Sequence, residues 1–323
     1  MAVFTPVSPD DARCLLATYR LGELRAIEGI VSGIENSNFF LDTTEGRFVL
    51  TVFERLRAAE LPFYLGLMHH LAGRGVPCPN PIANERGELF GLLHGKPAAL
   101  VTRLAGGAIE EPSARHCEQV GGLLARMHEQ ARDYAVQLPN PRGRPWWEAT
   151  APRVRPFLDA AQTALLDDEL RAQRQFAASP GFARLPAGPV HADLFRDNIL
   201  FIERGDNVGD LGGVIDFYFA GCDSWLYDLC VTVNDWCIVA GGHFDEERLT
   251  SFMRAYTSAR PLTANEREAW SMMLRAAALR FWLSRLFDRH CPRPAQIVLP
   301  KDPRHFEQLL RARRAIGTLS GGQ

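Results

Sequence analysis

Short groups of apolar, β-branched and aromatic residues dominate the first hundred positions of the chain. LRAIEGIVSG (24–33) and NSNFFLDTTEGRFVLTVFE (36–54) are predicted as strands because they are rich in Phe, Val, Ile and Thr, with TTEGR supplying a turn. ELFGLLHGKPAALVTRL (88–104) predicts two more strands around a Gly-Lys-Pro turn. Two helices are expected beside them, a short one opened by the capping residues 8–11 and a second over 58–74.

Beyond about Gly106 the pattern of apolar residues changes to helical spacing. In 114–131 the recurring apolar positions are Cys117, Val120, Leu124 and Met127. Two helical segments, a strand-like GGVIDFYFAG (212–221) and three or four closing helices complete the chain. We therefore expect an α+β protein with a small antiparallel-β N-terminal lobe (1–102) and a larger, mainly helical C-terminal lobe (103–323).

Composition narrows the class of protein. The chain has 323 residues with 36 Lys and Arg against 38 Asp and Glu, so a general attraction to nucleic acid or anionic membranes is not expected. Charged or amide residues interrupt the longest apolar runs, and the N-terminus lacks the pattern of a signal peptide. The seven cysteines form no CxxC pair, which favours reduced thiols in a cytoplasmic protein. Homo-oligomerisation stays open at this stage.

The stretch VHADLFRDNIL (190–200) places several polar residues between apolar flanks. His191, Asp193 and Asn198 match H-x-D-L-x-x-x-N, the pattern of a kinase catalytic loop, with Ala192 in place of the usual Arg. Phosphoryl transfer needs a carboxylate to accept the acceptor's proton and oxygen ligands for magnesium. We predict that Asp193 is the carboxylate that accepts the proton. Asn198, together with Asp216 of the next strand-like run, is predicted to bind the metal.

Two further polar residues of this stretch have plainer interpretations. His191 is predicted to hold the loop by hydrogen bonds and not to act as a base. Asp197 is favoured as a turn residue over a direct ligand.

Longer strings carry a resemblance to a known family. LARMHE (124–129) and WLYDLC (225–230), together with the loop, resemble the aminoglycoside phosphotransferase and choline kinase group, which has a bilobal protein-kinase-like fold. That resemblance implies that Asp228 supports the loop from behind and that His128 is a core histidine.

Four more strings are similar to the homoserine kinase family of the non-GHMP type: residues 33–54, 61–82, 233–237 and 278–286. This resemblance implies that ATP and L-homoserine are the small-molecule substrates, that Mg²⁺ is the cofactor, and that the product is O-phospho-L-homoserine, on the route to threonine.

The phosphate-binding part departs from the kinase pattern. Thr51 stands on the third strand where kinases offer a Lys to the nucleotide phosphates. Lys96 and Lys301 are the only lysines in the chain, so a cationic phosphate contact falls mostly to Arg or metal. Backbone N–H groups around the loop before the second strand are a further candidate. The predicted nucleotide-binding residues are Ser32, Gly33, Asn36, Ser37, Asn38 and Thr51.

An acceptor such as homoserine carries a carboxylate, an ammonium group and a hydroxyl. We predict that Asp235 meets the ammonium, that Arg280 or Arg285 clamps the carboxylate, and that Trp236 lines the pocket. The competing interpretation is a solvated helix face for each Arg and a helix-internal hydrogen bond for Asp235.

Other functions stay open from sequence. A choline, ethanolamine or aminoglycoside kinase would use the same fold, and the aromatic residues around 225–236 and 281–282 suit a choline cage. A nucleotide-binding module without catalysis is suggested by Thr51, although the intact Asp193, Asn198 and Asp216 argue against it.

Overall fold

The computed structural model describes residues 4–30, 36–204, 207–291 and 301–316. These residues divide into two compact units. The first contains the described residues up to 105 together with 213–215, and the second contains the others. The change of unit thus lies three residues beyond the expected position between 102 and 103.

The first unit is an antiparallel sheet with two helices. Its five strands follow the order β1-β2-β3-β5-β4. The strands are β1 (Leu24–Gly29), β2 (Ser37–Thr43), β3 (Arg47–Val52), β4 (Gly91–Leu93) and β5 (Lys96–Thr102), and the helices are α1 (Pro9–Leu16) and α2 (Leu61–Gly73). All the strands predicted in this part of the chain are therefore present.

Alternation along the strands divides the sheet into two faces. Phe39 of β2 pairs with Leu50 of β3, which pairs with Leu100 of β5. Paired residues of antiparallel strands point to the same side, so these three form one apolar face. That face shares a core cluster with Leu15 and Leu16 of α1, whose first turn is closed by a capping box at Ser8.

The second unit is mainly helical. Its helices are α3 (Ala114–Gln130), α4 (Arg144–Val154), α5 (Ala160–Ala177), α6 (Pro180–Ala183), α7 (Trp225–Trp236), α8 (Glu246–Ala259), α9 (Ala264–His290) and α10 (Arg304–Arg314). Two short pairs of strands accompany them: β6 (Ala187–Val190), which is antiparallel to β9 (Gly221–Ser224), and β7 (Ile199–Arg204), which pairs with β8 (Asn207–Val214). In the described part of the chain no helix is long and apolar enough to cross a membrane.

The strand β6 positions the motif of interest. The chain leaves β6 at Val190, passes through residues 191–198, and enters β7 at Ile199. We call residues 191–198 the motif loop. Because β9 pairs with β6 and runs directly into α7, the first turn of α7 lies behind the motif loop. The long helix α9 packs against α7 and α10.

Candidate active site

The motif loop is held by a buried carboxylate at its first two residues. Asp228 of α7 accepts the backbone N–H groups of His191, at 2.8 Å, and Ala192, at 2.7 Å. Ala192 has a φ of 62°, in the left-handed region that a residue with a Cβ rarely adopts. A short carboxylate contact on each adjacent N–H offsets the cost of that conformation.

Asp228 is also contacted by a histidine. The Nε2 atom of His128 on α3 lies 3.1 Å from an Asp228 oxygen, and both side chains are buried. Burial alone would raise the pKa of Asp228, but the His128 contact and the backbone N–H bonds hold that pKa below its usual value. Asp228 therefore stays an acceptor for the motif loop.

The hydrogen bonds continue beyond His128 to the start of α9. The Tyr256 hydroxyl lies 2.8 Å from His128 Nδ1, and Arg260 donates to that hydroxyl at 3.0 Å and to Glu266 at 2.7 Å. Since the hydroxyl accepts from Arg260, its own proton goes to Nδ1, which leaves the imidazole proton on Nε2 facing Asp228. We call Asp228, His128, Tyr256, Arg260 and Glu266 the buried network.

The last three members of the buried network are absent from the sequence-based predictions. Tyr256, Arg260 and Glu266 are each buried. A local signal existed only for Glu266, which forms a capping box with Thr263 at the start of α9. Nothing local in the sequence links Tyr256 or Arg260 to the motif loop.

Asn198 is oriented by Asp193 within the motif loop. Its side-chain amide donates to the Asp193 carbonyl oxygen at 2.8 Å and lies 3.4 Å from an Asp193 carboxylate oxygen. Because the amide nitrogen faces Asp193, the Asn198 carbonyl oxygen is directed elsewhere and can accept a cation. The Asp193 carboxylate keeps 17% of its side-chain surface exposed, so it can meet an acceptor hydroxyl. His191 accepts the Asp193 N–H through Nδ1 at 3.3 Å, a loop-internal contact of the kind predicted for it.

Asp216 begins a short turn that contacts the motif loop. It adopts φ 62° and ψ 63°, a left-handed conformation, and leads into a 3-10 turn over 217–219. The Phe217 ring packs edge-on against His191 with 4.8 Å between centroids. We call residues 216–219 the Asp216 turn. The structure therefore brings the elements that carry Asp193, Asn198 and Asp216 together.

Arg280 of α9 joins the motif loop to the Asp216 turn. Its Nη1 atom lies 3.8 Å from Asp193 Oδ1, and its guanidinium carbon lies 5.4 Å from the centroid of the Phe219 ring. Phe281 lies under the guanidinium at 3.7 Å. Only 4% of the Arg280 side chain is exposed, and its buried Nε has no hydrogen-bond partner in the described chain.

Arg285 lies further along α9 in the same electrostatic environment. Burial lowers the pKa of its guanidinium, while Asp193 opposes that shift. Its guanidinium contacts Phe306 of α10 at 6.0 Å, and it forms no hydrogen bond or ion pair with another residue that the structure describes. A cation in this position can accept an anionic ligand without displacing a protein carboxylate.

Asp235 is engaged mainly by Arg196 of the motif loop. Its Oδ2 accepts the Arg196 backbone N–H at 2.8 Å and Nε at 3.2 Å, whereas Oδ1 has only a 3.5 Å contact with Nη2. Burial raises the pKa of Asp235, although Arg196 opposes the shift. Arg196 also donates to the Glu110 carbonyl at 2.6 Å. The predicted ammonium contact of Asp235 stays a prediction.

The prediction that Trp236 lines the acceptor pocket is corrected by its burial. Its side chain is completely buried, and its indole N–H donates to the Leu194 carbonyl at 3.0 Å. A side chain with no exposed surface cannot contact a substrate in this structure. Trp236 instead holds the middle of the motif loop.

The predicted nucleotide-binding residues have three different placements. Ser32 and Gly33 lie outside the described residues. Asn38 and Thr51 face each other across β2 and β3, with the Thr51 hydroxyl donating to the Asn38 side chain at 2.8 Å. Asn36 is buried immediately before β2.

The Ser37 side chain contacts the N-terminal segment, and the predicted nucleotide contact of this residue stays a prediction. Its fully buried hydroxyl donates to Glu54 at 2.6 Å and accepts the N–H groups of Phe4 and Thr5. Lys96 pairs with Glu54 and also donates to the Thr5 hydroxyl at 2.7 Å. Sequence reasoning noted Lys96 only as a rare lysine, because its partners are distant along the chain.

Comparison with known proteins gives a family match and close relatives. The model of the phosphotransferase enzyme family matches residues 26–262. A protein named homoserine kinase from Burkholderia vietnamiensis is 55% identical over 98% of this chain and 96% of its own length. One of the same name from Burkholderia multivorans is 54% identical over the same shares.

Solved structures give the same fold at low identity. An aminopropanol kinase associated with a microcompartment superposes with a TM-score of 0.68 at 18% identity, over 95% of this chain and 97% of the other. The amicoumacin kinase hAmiN, solved with AMP-PNP, Ca²⁺ and Ami, gives a TM-score of 0.68 at 15% identity, over 94% and 92%. These likenesses establish the protein-kinase-like fold predicted from sequence.

Proposed function

The chain belongs to the phosphotransferase enzyme family, and from that premise we propose that it is a homoserine kinase. It transfers the γ-phosphoryl group of ATP to the hydroxyl of L-homoserine, giving ADP and O-phospho-L-homoserine. The observation that carries this assignment is 55% identity to a named homoserine kinase over nearly the full length of both chains. The solved kinases alone would leave the acceptor undetermined, since they share only the fold.

The transfer uses Asp193 as the general base. The homoserine hydroxyl oxygen forms a bond to the γ-phosphorus while the bond from that phosphorus to the bridging β,γ-oxygen breaks, and ADP leaves with the bonding electrons. The hydroxyl proton passes to the Asp193 carboxylate. This residue is suited to the task because its carboxylate is partly exposed and fixed by the neighbouring Asn198.

Asn198 and Asp216 are the residues that would hold Mg²⁺. A carboxamide oxygen and a carboxylate are hard oxygen donors, and Mg²⁺ commonly takes one or two protein ligands together with substrate phosphates and water. The described residues contain no cluster of three or more His, Cys, Asp and Glu that could form an all-protein metal cage. A bound Mg²⁺ would neutralise phosphate charge during the transfer.

The acceptor's charged groups are assigned to two residues of the second unit. Arg285 binds the homoserine carboxylate, because it is a half-buried cation without a carboxylate partner in the described chain. Asp235 meets the ammonium through Oδ1, which has only the long contact to Arg196. A cationic ligand would also counter the burial that raises the pKa of Asp235.

The nucleotide phosphates are held by backbone N–H groups of the segment from Ser32 to Asn38. Thr51 cannot supply the charge of the usual lysine, and its hydroxyl already bonds to Asn38.

We also place the protein in the cytoplasm, since its seven cysteines are all free thiols.

A choline or ethanolamine kinase is less consistent with this site. The four aromatic side chains considered for a choline cage are all buried: Trp225, Trp236, Phe281 and Trp282. Two arginines of α9, Arg280 and Arg285, also oppose binding of a polycationic aminoglycoside.

ADP release by the purified protein, with ATP, Mg²⁺ and a panel of alcohols, tests the assignment. The panel contains L-homoserine, L-serine, L-threonine, choline, ethanolamine, 1-amino-2-propanol and kanamycin. We expect L-homoserine to give the highest kcat/KM, and Asp193→Asn to lower kcat by about 10²–10⁴-fold. Equal or higher kcat/KM with another acceptor would overturn the assignment of homoserine as the acceptor. No turnover with any acceptor would overturn the kinase assignment and support a nucleotide-binding module without catalysis.

A further inference from the structure

We propose that Arg280 is a catalytic residue that contacts the transferring phosphoryl group, while Arg285 alone binds the acceptor carboxylate. The inference rests on the proposed kinase function. It separates two arginines of α9 that the sequence leaves interchangeable.

Arg280 lies close to the position that the attacked γ-phosphorus would occupy. Asp193 has to reach the acceptor hydroxyl, so the attacked γ-phosphorus lies within a few ångströms of the Asp193 carboxylate. Arg280 Nη1 is 3.8 Å from Asp193 Oδ1 and its guanidinium contacts the Asp216 turn through Phe219. The cation is therefore adjacent both to the proposed base and to the turn that carries a proposed metal ligand.

The guanidinium is held rigidly but is incompletely hydrogen-bonded. Phe281 and Phe219 both contact it, which restricts its position. Its separation from Asp193 exceeds hydrogen-bond length, and its buried Nε has no partner in the described chain. A buried cation with missing acceptors is costly. Phosphoryl oxygens could accept hydrogen bonds from the terminal Nη groups, which form none with a residue that the structure describes.

Phosphoryl transfer requires a cation, and the strand lysine that kinases usually offer is absent from this chain. Charge spreads over the three equatorial oxygens of the transferring group, and stabilising that charge is the main catalytic task. Thr51 replaces the usual strand lysine, Lys96 is paired with Glu54, and Lys301 is paired with Asp197. Arg280 can carry part of this charge in the step already described, forming no covalent bond and transferring no proton.

Arg285 provides the contrast on the same helix. It is less buried than Arg280, and the structure describes no carboxylate within ion-pair distance of it. Its charge suits a ground-state contact with the substrate carboxylate. The two arginines should therefore affect different kinetic constants.

The experiment compares Arg280→Ala and Arg280→Lys with Arg285→Lys. Arg289→Gln serves as the matched control, because Arg289 is an exposed arginine of α9. For each variant kcat, both KM values, the slow hydrolysis of ATP without acceptor, and the melting temperature are measured. Rescue of Arg280→Ala is tested with free guanidinium at concentrations that leave its melting temperature unchanged.

We expect Arg280→Ala to lower kcat by about 10²–10³-fold with KM for homoserine nearly unchanged. Hydrolysis of ATP by water should fall in parallel, and guanidinium should restore part of kcat. Arg285→Lys should raise KM for homoserine about 10-fold or more while sparing ATP hydrolysis.

A rise in KM for homoserine with an unchanged kcat in Arg280→Ala would overturn the inference, as would unchanged ATP hydrolysis. If Arg280→Ala melts early, Arg280→Lys decides by the same split between kcat and KM. Should the wild-type protein prefer another alcohol, the measurements are repeated with that alcohol. The homoserine assignment then fails while the role of Arg280 is still tested.

Discussion

The two sides of the motif loop differ in how completely their polar groups are satisfied. Behind the loop, Asp228 accepts two backbone N–H groups and a His128 contact, and Trp236 donates to a loop carbonyl. The other side carries Arg280 and Arg285, and we call it the acceptor side. There Arg280 has an unpartnered Nε and Arg285 forms no ion pair with a described residue. Complete hydrogen bonding fixes a geometry, whereas incomplete hydrogen bonding on a buried cation leaves capacity for a ligand.

The largest effect on activity is expected on the acceptor side. Asp193→Ala should lower kcat by about 10²–10⁴-fold, because the acceptor proton loses its base. Stability should change little, since the Asp193 carboxylate is partly exposed. The measurement is steady-state kcat together with urea unfolding.

Asp197→Ala is the matched control for that change. Asp197 lies in the same loop, is exposed and pairs only with exposed Lys301 among the described residues. Its kcat should stay close to that of the wild type. If both variants lost activity equally, the assignment of the base to Asp193 would fail.

Behind the loop, a substitution is expected to lower stability strongly as well as activity. Asp228→Ala leaves the N–H groups of His191 and Ala192 and the His128 ring without their acceptor in the interior. The free energy of unfolding should fall by about 3–5 kcal/mol, and kcat should fall as the loop loses its support. Urea denaturation measures the first quantity. A variant with wild-type stability would show that the carboxylate does not hold the loop.

A smaller loss of stability is expected further along the buried network. Tyr256→Phe removes only the hydroxyl that connects His128 to Arg260. The free energy of unfolding should fall by about 1–2 kcal/mol, while KM for both substrates stays unchanged. Thermal and urea unfolding give the first value, and steady-state kinetics gives the second. A change in KM for homoserine without loss of stability would place Tyr256 on the acceptor side of the comparison.

Local patterns in the sequence predicted the sheet and the motif loop, whereas the contact between Asp228 and that loop was implied by the family resemblance. Strand alternation and the H-x-D pattern depend on near neighbours along the chain. Tyr256 was missed because its partner His128 is more than a hundred residues away, and Arg260 is linked to His128 only through Tyr256. Trp236 was misjudged because a tryptophan beside Asp235 suits a pocket and a core equally well until burial is known.

The same limit applies to the predicted nucleotide-binding residues. Ser37 and Asn38 are neighbours in the sequence, but successive strand residues point to opposite faces. Asn38 meets Thr51, whereas Ser37 meets Glu54 and the N-terminal segment. Which face each side chain occupies follows from the register of β2 and β3, and the sequence predicted the strands without fixing that register.

The most direct test of the contrast between the two sides of the motif loop uses the melting temperature of the wild type and of Arg285→Gln. The rise that L-homoserine produces is measured for each, with AMP-PNP and Mg²⁺ present. The wild type should gain about 2.7 kcal/mol of stability at a homoserine concentration 100 times its Kd. Arg285→Gln should be at least as stable as the wild type without ligand, because a half-buried cation with no ion-pair partner among the described residues is removed. It should gain almost nothing from homoserine. A ligand-free variant that melts well below the wild type, or one that homoserine stabilises equally, would contradict the account.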